Sequence, residues 1–138
     1  MKNAYTIRQA STQDIPALVT HHRLMFEEIY LLKDKTFKEA EMEQMSLAYY
    51  RKLEHQIIEN TCIVHVVEIQ KKIVASAAMS IVSKMPIPKD PTDKVGYLHS
   101  VFTDKKFRNR GFVNQLVKNL IPFCNSNGIT RIELEASD

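Results

Sequence analysis

The sequence predicts one α/β (α+β) domain, in which helices pack on both faces of a mixed, mostly antiparallel sheet. Hydrophobic periodicity along the 138 residues predicts the element order β-α-α-β-β-β-α-β. Two β-branched runs joined by the short polar segment "QKK" predict an antiparallel pair. A strand, a helix and another strand in succession near the end predict one right-handed parallel crossover.

The first strand and the first helix are indicated by alternation followed by a capping signal. "YTIRQA", residues 5–10, alternates as a half-buried strand does. Ser11 and Asp14 in "STQD" form a potential capping box, and Pro16 falls within the first helical turn. The helix places one histidine, His22, on its apolar stripe. We expect His22 to be hydrogen-bonded in the core, and a substrate-facing role is the alternative. The stripe comprises Ile15, Leu18, Val19, His22, Met25, Phe26, Ile29 and Leu32.

A second helical region and two buried strands follow. Residues 33–60 carry apolar side chains at helical spacing, with Thr36 as a candidate N-cap, and this stripe is interpreted as packing. "TCIVHVVEI" (61–69) and "IVASAAMSIVS" (73–83) are predicted strands, because both are rich in β-branched or small residues. The helical stripe consists of Phe37, Met45, Ala48, Tyr49, Leu53 and Ile57.

The last elements flank a charged segment. After a proline-rich loop, "VGYLHSVFT" (95–103) is a predicted strand, and alternation places His99, Val101 and Thr103 on one face. The next helix is predicted to end near Gly128, and Pro122 is expected to kink or weaken it. "ITRIELEA" (129–136) is the predicted fifth strand. The inward side of the last helix is expected to consist of Val113, Leu116, Val117, Leu120 and Ile121.

Composition excludes several classes of protein. Apolar content of 44% and charged content of 25% are typical of a soluble globular chain, and no signal peptide or membrane span is legible, so we expect a cytoplasmic protein without membrane association. The net charge of +3 is too small to indicate a nucleic-acid partner. The two cysteines are too few for a disulfide framework. Cys62 and His65 should point to opposite faces of a strand, so no metal site is expected.

The segment "DKKFRNRGF", residues 104–112, has the features of an anion-binding loop. "DKKFRNR" alone carries as much excess positive charge as the whole chain. The segment lies between a predicted strand and a predicted helix, whose N-terminus presents unpaired N–H groups. Gly111 offers space for a ligand, and Arg108 and Arg110 can bind phosphate. Walker and dinucleotide-binding glycine patterns are both missing from this segment. A solvated, charged turn is the alternative interpretation.

The stretch "YLHSVFTDKKFRNRGFVNQLV", residues 97–117, resembles the strand, pyrophosphate loop and helix of the GNAT-superfamily N-acetyltransferases. Arg108 and Gly111 match the Arg/Gln-x-x-Gly-x-Gly/Ala motif of that family, and Phe107 matches its usual aromatic residue. The opening "YTIRQASTQDIPALVTHHRLMF" also resembles the first strand and helix of the family. The order of elements agrees from residue 5 to residue 136, which implies the GNAT fold.

The resemblance implies acetyl-coenzyme A as the donor substrate. Main-chain groups around Val101 and Thr103 would pair with the pantetheine arm, and loop amides would hold the pyrophosphate. An N–H group near Val101 could polarise the thioester carbonyl. The implied coenzyme-binding residues are Val101, Phe102, Thr103, Arg108, Asn109, Arg110, Gly111, Phe112 and Val113.

Direct acetyl transfer to an amine needs a base, and His99 is the candidate. A neutral imidazole suits proton abstraction near pH 7, and some relatives carry a histidine on this strand. A purely structural, hydrogen-bonded His99 is the alternative. Glu27 and Glu28 on the first helix are further candidates, although surface helical glutamates are common.

Two positions depart from the family pattern. Val113 stands where the motif ends in a small residue, and its branched side chain could crowd the phosphate or push the turn outward, either of which would weaken binding. The sequence also stops at "EASD", before the helix and two strands that normally follow. The chain is therefore interpreted as a single domain, 1–138, apparently truncated after its fifth strand, and a homodimer could complete the sheet.

These observations favour an N-acetyltransferase that moves an acetyl group from acetyl-coenzyme A to a small primary amine. A catalytically weak or inactive coenzyme A sensor with the same fold is the first alternative. A small nucleic-acid-binding protein is the second alternative, and it is disfavoured because the basic patch is short and lacks clustered aromatic residues.

Overall fold

The computed structural model describes residues 4–134 and confirms the predicted order of elements. Short 3-10 turns at Thr12–Asp14 and Lys105–Phe107 precede the first and last helices. The strands and helices are β1 (Thr6–Gln9), α1 (Ile15–Leu32), α2 (Glu39–Ile58), β2 (Cys62–Ile69), β3 (Lys72–Ser83), β4 (Lys94–Thr103), α3 (Phe112–Ser126) and β5 (Ile132–Glu133).

The strands form a single five-stranded sheet in the order β1-β2-β3-β4-β5. The first four strands pair antiparallel, whereas β5 pairs parallel with β4, with Gly96 opposite Ile132. The crossover through α3 therefore supplies the parallel pair, as predicted. The sheet is mixed and mostly antiparallel.

Helices cover both faces of the sheet and create two separate cores. On one face, α3 buries Leu116 and Leu120 against β2 and β3. On the other face, α1 and α2 bury Ile15, Leu18 and Leu53. Burial of each such side chain contributes roughly 1.5–3 kcal/mol. β4 contacts α1 on one face of the sheet and α3 on the other, so its side chains can serve a site on either face.

The start of α1 follows the sequence signal closely. The N–H group of Ser11 donates to Asp14 Oδ2 at 2.8 Å, which is one half of a capping box. Arg8 on β1 donates to both oxygens of the same carboxylate. This ion pair lowers the pKa of Asp14 and anchors the beginning of α1 to the first strand.

Two predicted boundaries differ from the structure. The second helix begins at Glu39 with Lys38 as its N-cap, so Thr36 and Phe37 lie in the connection that precedes it. The fifth strand has two residues, Ile132–Glu133, because only these pair with β4. Residues 135 and 136 of the predicted strand lie outside the described residues.

The last helix also differs from its prediction in two respects. Pro122 does not interrupt α3, which continues to Ser126. Ile121 is 45% exposed, although the sequence pattern placed it inward. The buried residues recur every four positions and form one stripe. Ile121 lies about 100° around the helix from Leu120, which places it outside this stripe. The stripe consists of Phe112, Leu116, Leu120 and Cys124.

None of the helices within residues 4–134 combines the length and the apolar content that crossing a membrane requires.

Candidate functional site

A cavity of about 1000 Å³ lies between α1, β4 and the loop that precedes α3. The cavity is lined by His99 and by all the residues implied for coenzyme binding, and also by Glu28, whereas the other candidate base, Glu27, does not line it. His99 and the implied coenzyme-binding residues come from two adjoining stretches, which the end of β4 and the start of α3 bring to the same opening. They are His99, Val101, Phe102, Thr103, Arg108, Asn109, Arg110, Gly111, Phe112 and Val113.

One wall of this cavity is apolar and belongs to α1. Met25, Phe26, Ile29 and Leu32 line it, and these positions recur at three- and four-residue spacing. They are therefore on the same side of the helix, where the amphipathic stripe passes beyond the packed core. The wall ends at His22, one turn before Phe26, so a polar ring borders an apolar surface.

At the opposite end, the cavity meets the N-terminus of α3. Gly111 is the N-cap, with a left-handed φ of 76°, and Asn109 also has a positive φ of 64°. A Cβ placed on Gly111 would meet no described atom within 4 Å, so left-handed geometry rather than crowding by the protein favours glycine here. Among residues 4–134, no group accepts a hydrogen bond from the main-chain N–H of Phe112 or Val113. The helix end is therefore available to an anion.

Arg108 ties this loop to its neighbours. Its Nε donates to the carbonyl oxygen of Thr103 at 2.8 Å, and its Nη2 donates to Glu28 Oε1 at 2.6 Å. Its guanidinium also lies over the ring of Phe102 at 5.7 Å. Arg108 thus joins β4, α1 and the loop, and Glu28 already compensates part of its charge. Glu28, proposed from the sequence as an alternative base, lines the cavity as an ion-paired carboxylate.

The middle of β4 contains a β-bulge. Ser76 pairs with Phe102 and Ala78 pairs with His99, so one residue of β3 faces two residues of β4. Ser100 lies in this bulge with a positive φ of 55°. A non-glycine residue in this conformation carries roughly 1–3 kcal/mol of strain, which the surrounding structure must hold in place.

The bulge corrects the predicted face of β4. Regular alternation placed His99 and Val101 together, but the extra residue shifts the phase of the strand. Val101 packs into the core below α3. His99 instead belongs to a cluster of hydrogen bonds on the side of α1 and α2. The prediction that His99 and Val101 share one face of β4 is therefore wrong.

Both ring nitrogens of His99 have partners in that cluster. Nε2 lies 2.8 Å from Ser80 Oγ, and Nδ1 lies 2.8 Å from Ser100 Oγ. Burial, followed by the nearby His22 and Lys52, lowers the pKa of His99 to about 4. The ring is therefore neutral at pH 7. Neither nitrogen is left to contact a substrate directly.

Ser100 links the cluster to both helices. The hydroxyl of Tyr49 on α2 donates to Ser100 Oγ at 2.7 Å, and His22 Nδ1 lies 3.1 Å from the same oxygen. The ring of His22 stacks on that of Tyr49, with centroids 3.7 Å apart and an interplanar angle of 2°. Burial lowers the pKa of His22 to about 4 and raises that of Tyr49 to about 12. Both side chains are thus neutral at pH 7.

The first helix contributes its histidines differently from the prediction. His21 is the buried core histidine, with Nδ1 3.0 Å from Ser76 Oγ and its ring against Phe102. His22 is half-buried and lines the cavity. His22 is hydrogen-bonded to Ser100, as expected, but it lies at the cavity and not in the core, and a role facing a substrate stays a prediction.

Sequence reasoning missed Ser100, and it assigned Tyr49 to packing alone. Ser100 meets Tyr49 across 51 positions and His22 across 78 positions of the chain, so no short motif connects them. The irregular backbone that directs Ser100 depends on pairing with β3, which a single-sequence pattern does not record. Within the described range 4–134, no three His, Cys, Asp or Glu side chains are grouped in a way that could hold a metal ion.

Comparison with known proteins adds a family model and several solved structures. The model of the acetyltransferase (GNAT) family matches residues 26–138. No curated protein matches the sequence. A GCN5-related N-acetyltransferase from Ralstonia eutropha JMP134 superposes with a TM-score of 0.84 at 20% identity, covering 98% of this chain and 85% of that one.

Two further structures were determined with bound ligands. A predicted acetyltransferase with acetyl-CoA from Clostridium acetobutylicum gives a TM-score of 0.83 at 19% identity, covering 98% of this chain and 82% of the other. The PaiA N-acetyltransferase from Thermoplasma acidophilum, in complex with coenzyme A, gives 0.72 at 14% identity, covering 96% and 79%. At these identities the similarity establishes a shared fold.

Proposed function

This chain belongs to the acetyltransferase (GNAT) family, and from that premise we propose that it transfers an acetyl group from acetyl-coenzyme A directly to a small primary amine. The observation that supports this most is the single cavity between α1, β4 and α3. It joins an anion-binding helix end to a cluster of neutral histidines. Direct transfer needs a site for the donor at one end and proton acceptance at the other.

We propose that the pyrophosphate of the donor lies at the N-terminus of α3. Within residues 4–134 the N–H groups of Phe112 and Val113 have no acceptor, and no atom lies within 4 Å of a Cβ placed on Gly111, so a phosphate can approach the helix end. Arg110 adds charge from the loop. The pantetheine arm would follow β4 along Val101 to Thr103. The bulge leaves main-chain groups near Val101 outside the regular ladder, where one N–H group can stabilise the oxyanion.

The acceptor is proposed to be a primary amine with a compact apolar body. The α1 wall that faces it carries Met25, Phe26 and Ile29, which favour hydrocarbon contact. The two carboxylates of this part of α1 are already paired, Glu27 with Arg23 and Glu28 with Arg108. A polycationic amine would therefore have to displace an existing ion pair, whereas a monoamine would not.

His99, the base candidate from the sequence, is proposed to position other groups of the cluster, because it does not contact the substrate. Because Ser80 and Ser100 occupy its ring nitrogens, His99 would act through the hydroxyl of Ser100. Burial lowers the pKa of His99 to about 4, so the ring is neutral at pH 7 and can hold Ser100 by a hydrogen bond.

Calorimetric titration of coenzyme A into the protein, with Gly111→Glu as the variant, tests the donor site. Binding by the parent and at least a tenfold loss in Gly111→Glu are expected, since the new carboxylate would occupy the anion position. Gly128→Glu is the matched control. Gly128 also has a positive φ, of 69°, and open space, but lies beyond the other end of α3.

Absence of coenzyme A binding by the parent would contradict the proposed function. If coenzyme A binds, a panel of amines assayed for thiol release separates an enzyme from a coenzyme A sensor. Thiol release with apolar monoamines supports the proposal, and the absence of thiol release with every amine favours the sensor.

A homodimer that extends the sheet beyond β5 stays a prediction. Ile132 is 40% exposed, and Leu134, directly after β5, is 66% exposed, so this edge carries apolar surface. Sedimentation equilibrium on the parent and on Leu134→Lys would test it, and an unchanged monomer mass in both would exclude the dimer.

A further inference from the structure

For each hydrogen bond around His99, the donor and the acceptor can be assigned from the number of protons that each group carries. Ser80 Oγ donates to Gln56 Oε1 at 2.9 Å, so its single proton is already used. His99 Nε2, 2.8 Å from the same oxygen, must therefore be the donor of their hydrogen bond. A neutral imidazole has one N–H group, which leaves His99 Nδ1 as an acceptor.

The same count continues through Ser100. Within residues 4–134, Ser100 Oγ lies 2.8 Å from His99 Nδ1 and can supply the proton of this hydrogen bond. Once Ser100 donates to His99, its oxygen can only accept. Tyr49 donates to it at 2.7 Å, and His22 Nδ1 at 3.1 Å must donate as well. His22 therefore carries its proton on Nδ1.

This tautomer leaves a lone pair on Nε2 of His22. No group within residues 4–134 forms a hydrogen bond to this nitrogen, and it is not among the buried polar atoms that lack a partner. The ring lines the cavity at the end of the apolar α1 wall. Stacking on Tyr49 and the edge contact with Phe26 hold its plane. A basic nitrogen is thus presented to the place where the acceptor would lie.

We propose that His22 is the catalytic base of this enzyme and that its Nε2 takes the proton from the acceptor ammonium. Ser100, His99 and Tyr49 are positioning residues, which fix the tautomer and the orientation of the ring. This assignment rests on the proposed acetyl transfer. The sequence favoured the strand histidine, His99, as the base, and this assignment gives that role to the helix histidine, His22.

In the proposed step, the ammonium gives one proton to Nε2 of His22, and the nitrogen lone pair that this frees attacks the thioester carbonyl carbon. The carbon–nitrogen bond forms, the carbon–sulfur bond breaks, and the sulfur leaves with the bonding electrons. The second proton of the nitrogen passes to the departing sulfur through solvent, and the imidazolium returns its proton to solvent. Burial lowers the pKa of His22 to about 4 and so opposes proton uptake as well as favouring its release. The imidazolium therefore forms only while the carbon–nitrogen bond is being made, and it then loses its proton to solvent.

His22→Asn is the informative variant, because its amide N–H can still donate to Ser100 while no basic nitrogen remains. We expect kcat for an aliphatic monoamine at pH 7 to fall about 100- to 10,000-fold, the range typical of a lost general base. Affinity for coenzyme A and the KM for acetyl-coenzyme A should not change. With a fluorinated amine, which is already neutral at pH 7, most of the loss should disappear. His55→Asn, at an exposed position of α2, is the control.

Nitrogen-15 NMR of the histidine rings tests the same proposal without relying on turnover. His22 should be the Nδ1–H tautomer and His99 the Nε2–H tautomer in the parent. In Ser100→Ala, the His22 signal should lose this preference, while coenzyme A still binds. A His22 ring protonated on Nε2 in the parent would overturn the proposal.

The two proposals fail in different ways. A parent that binds coenzyme A but releases no thiol with any amine refutes the acetyl transfer and the base together. A parent that is active, with a His22→Asn variant of equal kcat, refutes only the role of His22. Equal losses for ionised and neutral amines would also refute it, because they would indicate a structural effect.

Discussion

The loop at residues 105–113 and the cluster around Ser100 lie at the two ends of one cavity, and they are built in opposite ways. The loop uses adjoining residues and main-chain N–H groups, with Gly111 in a left-handed conformation. The cluster uses side chains from α1, α2, β3 and β4, which meet at one hydroxyl. A site formed by adjoining residues can be recognised from a sequence motif, whereas a site formed by residues from distant elements cannot.

The two regions also differ in charge. The loop is cationic and partly exposed, and one of its arginines, Arg108, is paired with Glu28. The cluster is half-buried, and burial lowers the pKa of both of its histidines, His22 and His99, to about 4, so both are neutral at pH 7. Salt and charge substitutions should therefore change coenzyme A binding at the loop, whereas acid should change the stability that depends on the cluster.

Acidification should have the largest effect, and it should act on the cluster. The pKa of His99 falls from 6.5 in the unfolded chain to about 4 in the folded one, so between these values the unfolded chain binds more protons. Stability must then rise with pH through this window and fall on acidification. Since one pKa unit corresponds to about 1.4 kcal/mol, the free energy of unfolding should drop by more than about 1 kcal/mol from pH 7 to pH 5.

Urea unfolding at the two pH values measures this drop. His99→Gln should lose part of the pH dependence, because one of the depressed histidines is removed. The exposed His55, changed to Gln, should leave the dependence as in the parent. Equal pH dependence in all three proteins would contradict the contrast between a half-buried cluster and an exposed loop.

Glu28→Gln should sharpen the role of charge in the loop. The amide still accepts the hydrogen bond from Arg108, but the negative charge beside the proposed phosphate site is gone. Coenzyme A should bind about threefold more tightly, and the gain should shrink at high salt. Calorimetry measures both. Glu27→Gln is the matched control, since its carboxylate pairs with Arg23, and a gain of the same size there would refute the local explanation.

Val113→Ala should give the smallest change. Val113 lines the cavity next to the N-terminus of α3, where its branched side chain narrows the approach to the helix amides. Shortening it should tighten coenzyme A binding about twofold without altering the N–H groups. Val117→Ala, one turn further along α3, is the control. Weaker binding in Val113→Ala alone would mean that the valine contacts the ligand favourably.

Much of the architecture could be predicted because the signals are local. Alternation in β2 and β3, the capping box at Ser11 and Asp14, and the glycine before α3 each depend on residues a few positions apart. Each reflects a backbone preference or a burial pattern that any single sequence displays. The order of elements and the position of the loop at residues 105–113 followed from these signals.

The geometry of the cluster around Ser100 could not be predicted in this way. Regular alternation was the reasonable expectation for β4, yet pairing with β3 introduces a bulge at Ser100 and moves His99 to the opposite face from Val101. Helical spacing also could not decide which neighbour in "HH" would be buried. Packing against Ser76 and Phe102 buries His21 and leaves His22 at the cavity.

The sequence by itself therefore determined the fold class, the element order and the residues of the loop from Arg108 to Val113, because each depends on short-range spacing. Tertiary structure alone decided the tautomers of His22 and His99, the partners of Arg108 and the phase of β4. These depend on which polar atoms meet across the sheet. A buried polar atom must find a hydrogen-bond partner wherever the fold supplies one, and that location is not written in the neighbouring residues.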